Sequence, residues 1–187
     1  MTPSEKLRLA IQYIGDARDQ VEEAASSADP YVRTARRQSL KESIEAAREL
    51  LAELERDHPG VTTPHVFDEG IEAEMSVVDA RVWAYRIELG VMVQCYEDYA
   101  AARGILERVL AIRADSARDH AWLGLVCADL KDFDAAIAAT ERAISLDPDD
   151  IEFKRNLNDI RRKAEQFAAE QAASAKRSRW NIKSWLG

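Results

Sequence analysis

Residues 117–150 read ARDHAWLGLVCADLKDFDAAIAATERAISLDPDD, and the 34 residues before them, 83–116, read WAYRIELGVMVQCYEDYAAARGILERVLAIRADS. Laid on each other, the two stretches agree at a run of positions. Leu89-Gly90 falls on Leu123-Gly124, Asp98 on Asp132, Tyr99 on Phe133, Ala102 on Ala136, Leu110 on Ile144 and Ile112 on Leu146. A repeat of this length is a supersecondary unit that cannot bury its apolar face alone and must stack on neighbours.

Outward from the repeat, the whole chain reads as helical. It has 187 residues, 47% hydrophobic and 32% charged, with only 7 Gly and 5 Pro, which argues for long helices and against a many-turned β sandwich or barrel. Leu7, Ile11, Ile14, Ala17, Val21 and Ala24 recur at three- and four-residue steps, marking a helix from about Ser4, its expected N-cap, to Ala28. Asp29-Pro30 breaks that pattern. Leu40, Ile44, Ala47, Leu51 and Leu54 mark a second helix that stops at Asp57-His58-Pro59-Gly60. The two are expected to form an antiparallel hairpin over residues 1–60. Gly60-Val61-Thr62-Thr63-Pro64 reads as a linker. Beyond it Ile71, Met75, Val78, Val82, Tyr85, Leu89, Met92 and Tyr96 predict one helix of about 28 residues, opened by Asp68 and Glu69.

The quoted stretch resembles the tetratricopeptide (TPR) repeat. Leu123-Gly124, Phe133, Ala136, Ala143 and Leu146-Asp147-Pro148 stand where that family's pattern wants them. Gly124 and Ala136 would lie where two helices cross, and Pro148 would stop the second helix. Residues 83–116 match less well, with Ala114 in place of the Pro. The family's Trp is replaced by Arg86 and His120, its Tyr by Val93 and Cys127, and its inner-turn Gly by Glu97 and Lys131. A left-handed backbone at the last two would cost about 1 kcal/mol each. Phe153, Leu157, Ile160, Ala164 and Phe167 begin a third copy that does not finish, read as a capping helix from about Asp150 to Ala172.

The expected architecture is therefore all-α: a hairpin at 1–60, a TPR-like right-handed solenoid with its capping helix at 66–172, and a tail at 173–187. The resemblance implies a concave groove lined by the first helix of each hairpin. Its candidate partner-binding residues are Ile87 and Val91, then Arg118, Trp122, Leu125 and Asp129. Some family members clamp the acidic terminus of a chaperone with Lys and Asn, but Ile87, Val91, Trp122, Glu152 and Asn156 occupy the matching places. That ligand is not expected. An apolar groove suits an amphipathic helix, either a partner's or the chain's own N-terminal helices.

The formal net charge is −8, unevenly spread. Residues 1–150 hold 17 Lys and Arg against 30 Asp and Glu, whereas 151–187 hold 9 against 4. The end, KRSRWNIKSWLG at 176–187, joins four basic groups to two of the four tryptophans. Arg177, Arg179, Trp180, Ile182, Lys183, Trp185 and Leu186 are its candidate docking residues. Ile182, Trp185 and Leu186 share a face if the segment is helical. The tail has three main readings: docking into an acidic, apolar site on another protein, folding back on its own body or a second copy, or lying on an anionic membrane. Nucleic-acid stacking is a remote fourth, opposed by the acidic body.

No phosphate loop, Cys-x-x-Cys or HExxH-like pair occurs, and Asp119-His120 point in different directions on a helix. No enzyme, metal site or cofactor is expected. Cys95 and Cys127 read as inert buried thiols. The first residues lack a basic region followed by an apolar run, and no apolar stretch is long enough to span a membrane, so a cytoplasmic location is expected. The leading functional expectation is a scaffold-like adaptor or assembly factor that holds another protein. The alternatives are a self-assembling homo-oligomer, a secretion-type chaperone, which the small acidic body resembles in general form, and a membrane-surface regulator.

Overall fold

The structure, a computed structural model, describes residues 1–66 and 72–185, with side chains as far as Ser174. It is mainly helical, with one two-stranded antiparallel sheet among the described residues. The chain falls into two compact units, Met1–Ala114 and Asp115–Gly187. The weaker 34-residue copy thus belongs with the N-terminal hairpin, and the clearer copy with the C-terminal helix.

The N-terminal unit opens with α1 (Pro3–Ser26) and α2 (Pro30–Asp57). Thr2, not Ser4, caps α1. Its hydroxyl accepts from the Glu5 amide at 3.2 Å, and the Thr2 amide donates to the Glu5 carboxylate at 2.6 Å. Asp29 both ends the first pattern and starts the second helix, accepting from the Tyr31 amide at 2.8 Å with Pro30 in the first turn. All eleven apolar positions read from the two stripes are buried.

Over residues 72–76 the expected helix from Asp68 is replaced by a strand. Residues 67–71 lie outside the described ones, and Thr62–Val66 (β1) pairs antiparallel with Glu72–Ser76 (β2), Thr63 opposite Met75. The linker thus passes into a strand at Thr62, and Met75 is buried from a strand rather than from a helix. Helix α3 (Val77–Val91) begins at a capping box: the Ser76 hydroxyl accepts from the Asp79 amide at 3.1 Å, and the Asp79 carboxylate accepts from the Ser76 amide at 3.2 Å. Arg113 closes onto the same carboxylate. Burial raises the Asp79 pKa, but the Ser76 hydroxyl and amide and the Arg113 guanidinium outweigh it, and the carboxyl ends below its ordinary value.

The face of α3 turned to the core also differs from the predicted stripe. Val77, Ala80 and Ala84 pack with α1 and α2 residues, Val91 with the middle of α1 and α2, and Ile87 with both groups. Val78 and Tyr96, on the predicted stripe, are exposed. Val82 and Leu89 are buried as well, so α3 carries apolar residues on more than one side, and α4 also packs against it. A π-helical turn, Met92–Tyr96, follows, then a left-handed Glu97 (φ 52°) and α4 (Tyr99–Ile112), capped by Asp98.

The C-terminal unit is α5 (Ala117–Asp129), α6 (Phe133–Leu146) and α7 (Ile151–Trp185). Helices α5 and α6 form an antiparallel hairpin pressed together at Gly124. A Cβ there would run into Thr140 Oγ1 and stand 3.0 Å from the Ala136 carbonyl. Lys131 turns the chain in the left-handed region (φ 62°), 34 residues after Glu97. The Asp132 amide donates to the Cys127 carbonyl at 2.9 Å. In the earlier copy the Asp98 amide reaches one residue further back, to Met92 at 3.0 Å, because the π turn holds an extra residue. Phe153, Leu157 and Ile160 bury one side of α7 against the hairpin, and Phe167 meets Phe133 at 5.6 Å between ring centroids.

Candidate interaction surface

Ser116 starts α5 by accepting from the Asp119 amide at 3.4 Å, and Asp119 suits the positive end of the helix. Ala121, Gly124, Cys127 and Ala128 turn inward and are buried. Arg118, Trp122, Leu125 and Asp129 follow one another at steps of four, three and four, so they share a face. That face is open: Trp122 is 45% exposed, Leu125 half-buried, and Arg118 and Asp129 exposed. The charges stand at the two ends, about 16 Å apart at 1.5 Å per residue. Neither forms an ion pair among the described residues.

The other two expected groove residues lie elsewhere. Val91 is buried against Val21, Leu40 and Ile44, and Ile87 is partly buried between the two core clusters of the N-terminal unit. Helices α1 and α2 occupy that side of α3, so within the N-terminal unit Val91 is covered and Ile87 partly so.

Helix α7 passes the expected stop at Ala172 and continues to Trp185. Among its described side chains the last buried one is Ile160, Ala164 and Phe167 are half-buried, and all of 168–174 is exposed. The helical condition for the tail's shared face therefore holds in the backbone as far as Trp185. The side chains of Arg177, Arg179, Trp180, Ile182, Lys183 and Trp185, and all of Leu186, lie outside the described residues.

One feature had no motif to reveal it. A cleft of about 510 Å³ lies between α2 and α3, walled by Glu45, Arg48, Glu49, Glu55, Arg81 and Tyr85. Arg81 is paired with Glu55 and Arg48 with Glu88 at 3.3 Å, and Arg108 stacks over the Tyr85 ring at 5.5 Å. Its arginines are committed to neighbours. Only charge alternation along α2 marks it in the sequence, and that pattern is common to solvated helices.

Cys95 is buried, and burial pushes its thiol pKa up while the Arg37 guanidinium pulls against it. Cys127 is buried in the other unit. Among the described residues no group of three His, Cys, Asp or Glu is placed to hold a metal ion, and no helix is long and apolar enough to cross a membrane. Neither a scan against protein-family models nor a search of curated proteins finds a match to this chain.

Proposed function

We propose that this chain is a non-catalytic adaptor or assembly factor, without cofactor, that holds another protein against the outer face of α5. The observation that carries the reading is Trp122, nearly half exposed on a well-packed helix, beside Leu125 and bracketed by Arg118 and Asp129. Closing the open part of one large aromatic contributes about 1–2 kcal/mol, the scale of an interface anchor. The architecture in this reading is TPR-like. Its support is the close approach at Gly124, the left-handed Glu97 and Lys131 34 residues apart, and the caps at Asp98 and Asp132 at the same interval.

The basic aromatic end of α7 is the second docking element. Its support is the helix that continues past its last packed residues, with 168–174 exposed. Capture from extract of the native host, with the full chain, Trp122→Ala and a chain ending at Ala175 as baits, tests both. Loss of a partner with Trp122→Ala supports the α5 face, and loss on truncation supports the tail. Three identical sets of captured proteins would overturn the reading.

A further inference from the structure

We propose that the protein docked on the α5 face is a second copy of this chain, held by antiparallel α5–α5 pairing about a two-fold axis. This deepens the reading above and rests on it. A two-fold interface requires a surface complementary to itself: what residue i meets on residue j, residue j must meet on residue i. Arg118 and Asp129 are equidistant from the Leu123–Gly124 peptide, and so are Trp122 and Leu125. When two such helices lie antiparallel across that point, each Arg118 faces the other copy's Asp129, and each Trp122 faces the other copy's Leu125. Two opposite-charge pairs then flank an apolar centre, the arrangement of an interface core and its rim. Antiparallel helix dipoles favour the same orientation.

Helix α7, which packs against α5, has the same symmetric spacing with the charges reversed and polar residues between them. Glu152 and Lys163, both exposed, bracket Asn156 and Asp159, again symmetric, here about the Leu157–Asn158 peptide. Antiparallel apposition would place the opposite end charges of two α7 helices across from each other as well. Glu152 already has Arg155 at 2.5 Å, so α7 supplies the rim and α5 the centre. One 13-residue helix is about 20 Å long, so the contact is at the small end of specific interfaces, which bury about 1,200 Å² or more. The dimer is therefore weak and concentration-dependent.

Sedimentation equilibrium of the full chain, from about 1 to about 500 μM, reads the association directly. Arg118→Asp alone sets aspartate against Asp129 twice in each dimer, and Asp129→Arg alone sets arginine against Arg118 twice. Each is expected to weaken association about tenfold or more at low salt. The double variant restores two opposite pairs and is expected to return association to within about threefold of the original chain. Both substitutions suit the helix dipole, acid at the N-terminal end and base at the C-terminal end, so α5 is kept. A concentration-independent monomer overturns the proposal, as does a dimer unmoved by the single reversals or one not restored by the double. A monomer that still captures a different protein in a Trp122-dependent way removes the second copy but keeps the interaction surface. A monomer without such capture removes both.

Discussion

Replacing Gly124 by alanine should destabilise the chain, although alanine is the better helix former. The propensity gain is about 1 kcal/mol. Against it, the new methyl meets Thr140 Oγ1 and lies 3.0 Å from the Ala136 carbonyl, a backbone atom that moves only if α5 and α6 part. Turning the Thr140 side chain away breaks its 2.8 Å hydrogen bond to that carbonyl, about 1 kcal/mol, inside a site with no exposure. Overpacking adds about 1–3 kcal/mol. The net loss is then about 1–3 kcal/mol. Gly90, its counterpart 34 residues earlier, supplies the control. A Cβ there first meets Val21 Cγ1 at 4.0 Å, ordinary contact, so Gly90→Ala should gain about 0.5–1 kcal/mol. Urea unfolding of the full chain, followed by far-ultraviolet circular dichroism, measures both. In a double-mutant cycle with Thr140→Ala, part of the Gly124→Ala loss should be recovered, because Oγ1 is gone while the Ala136 carbonyl remains. Equal stability of Gly124→Ala and the original chain would refute the close approach. Equal harm from Gly90→Ala would refute the asymmetry between the copies.

The left-handed residues give a second test: Glu97→Gly should stabilise by about 0.5–1 kcal/mol, and Lys131→Gly by less, since Lys131 also sits 5.4 Å from the Phe167 ring centroid. Asp79 carries a pH signature. Its folded pKa is lowered, so its stabilisation is present above the unfolded value near 3.9 and is lost as pH falls through the folded one. Acid unfolding of Asp79→Asn should accordingly show a shallower decline below about pH 4, and an unchanged slope would remove Asp79 from the account. Cys95 and Cys127, both buried, should resist a thiol reagent at pH 8 until urea unfolds the chain; rapid native labelling would contradict their placement.

Much of this fold is legible where a helix buries a single stripe. Leu7 through Ala24 and Leu40 through Leu54 repeat at helical spacing with polar residues between them, and every named position is buried. Helix α3 defeats the same reasoning because it is covered on more than one side. Its apolar residues do not select a face, and the stripe through Val78 and Tyr96 was as regular as the true one through Val77, Ala80, Ala84, Ile87 and Val91. The start of α3 is legible in the sequence. Ser76-Val77-Val78-Asp79 is a capping-box spacing, and it outranks Asp68-Glu69 as a helix opening. The strands at Thr62 and Glu72 are short, and Pro64 and the acidic residues 72 and 74 hide them. What marks the α5 face in the sequence is the resemblance of residues 117–150 to the TPR repeat. Exposure of Trp122 and cover over Val91 depend on which helices pack where, and spacing within one helix carries no record of that.

The central claim is that the outer face of α5 holds protein. Its most direct test is capture on the immobilised full chain, comparing the original with Trp122→Ala at matched loading, with a differently tagged second copy added to native-host extract. The account predicts that Trp122→Ala stays folded and loses the bound protein, the second copy foremost. Unchanged capture of every protein, the second copy included, would contradict it.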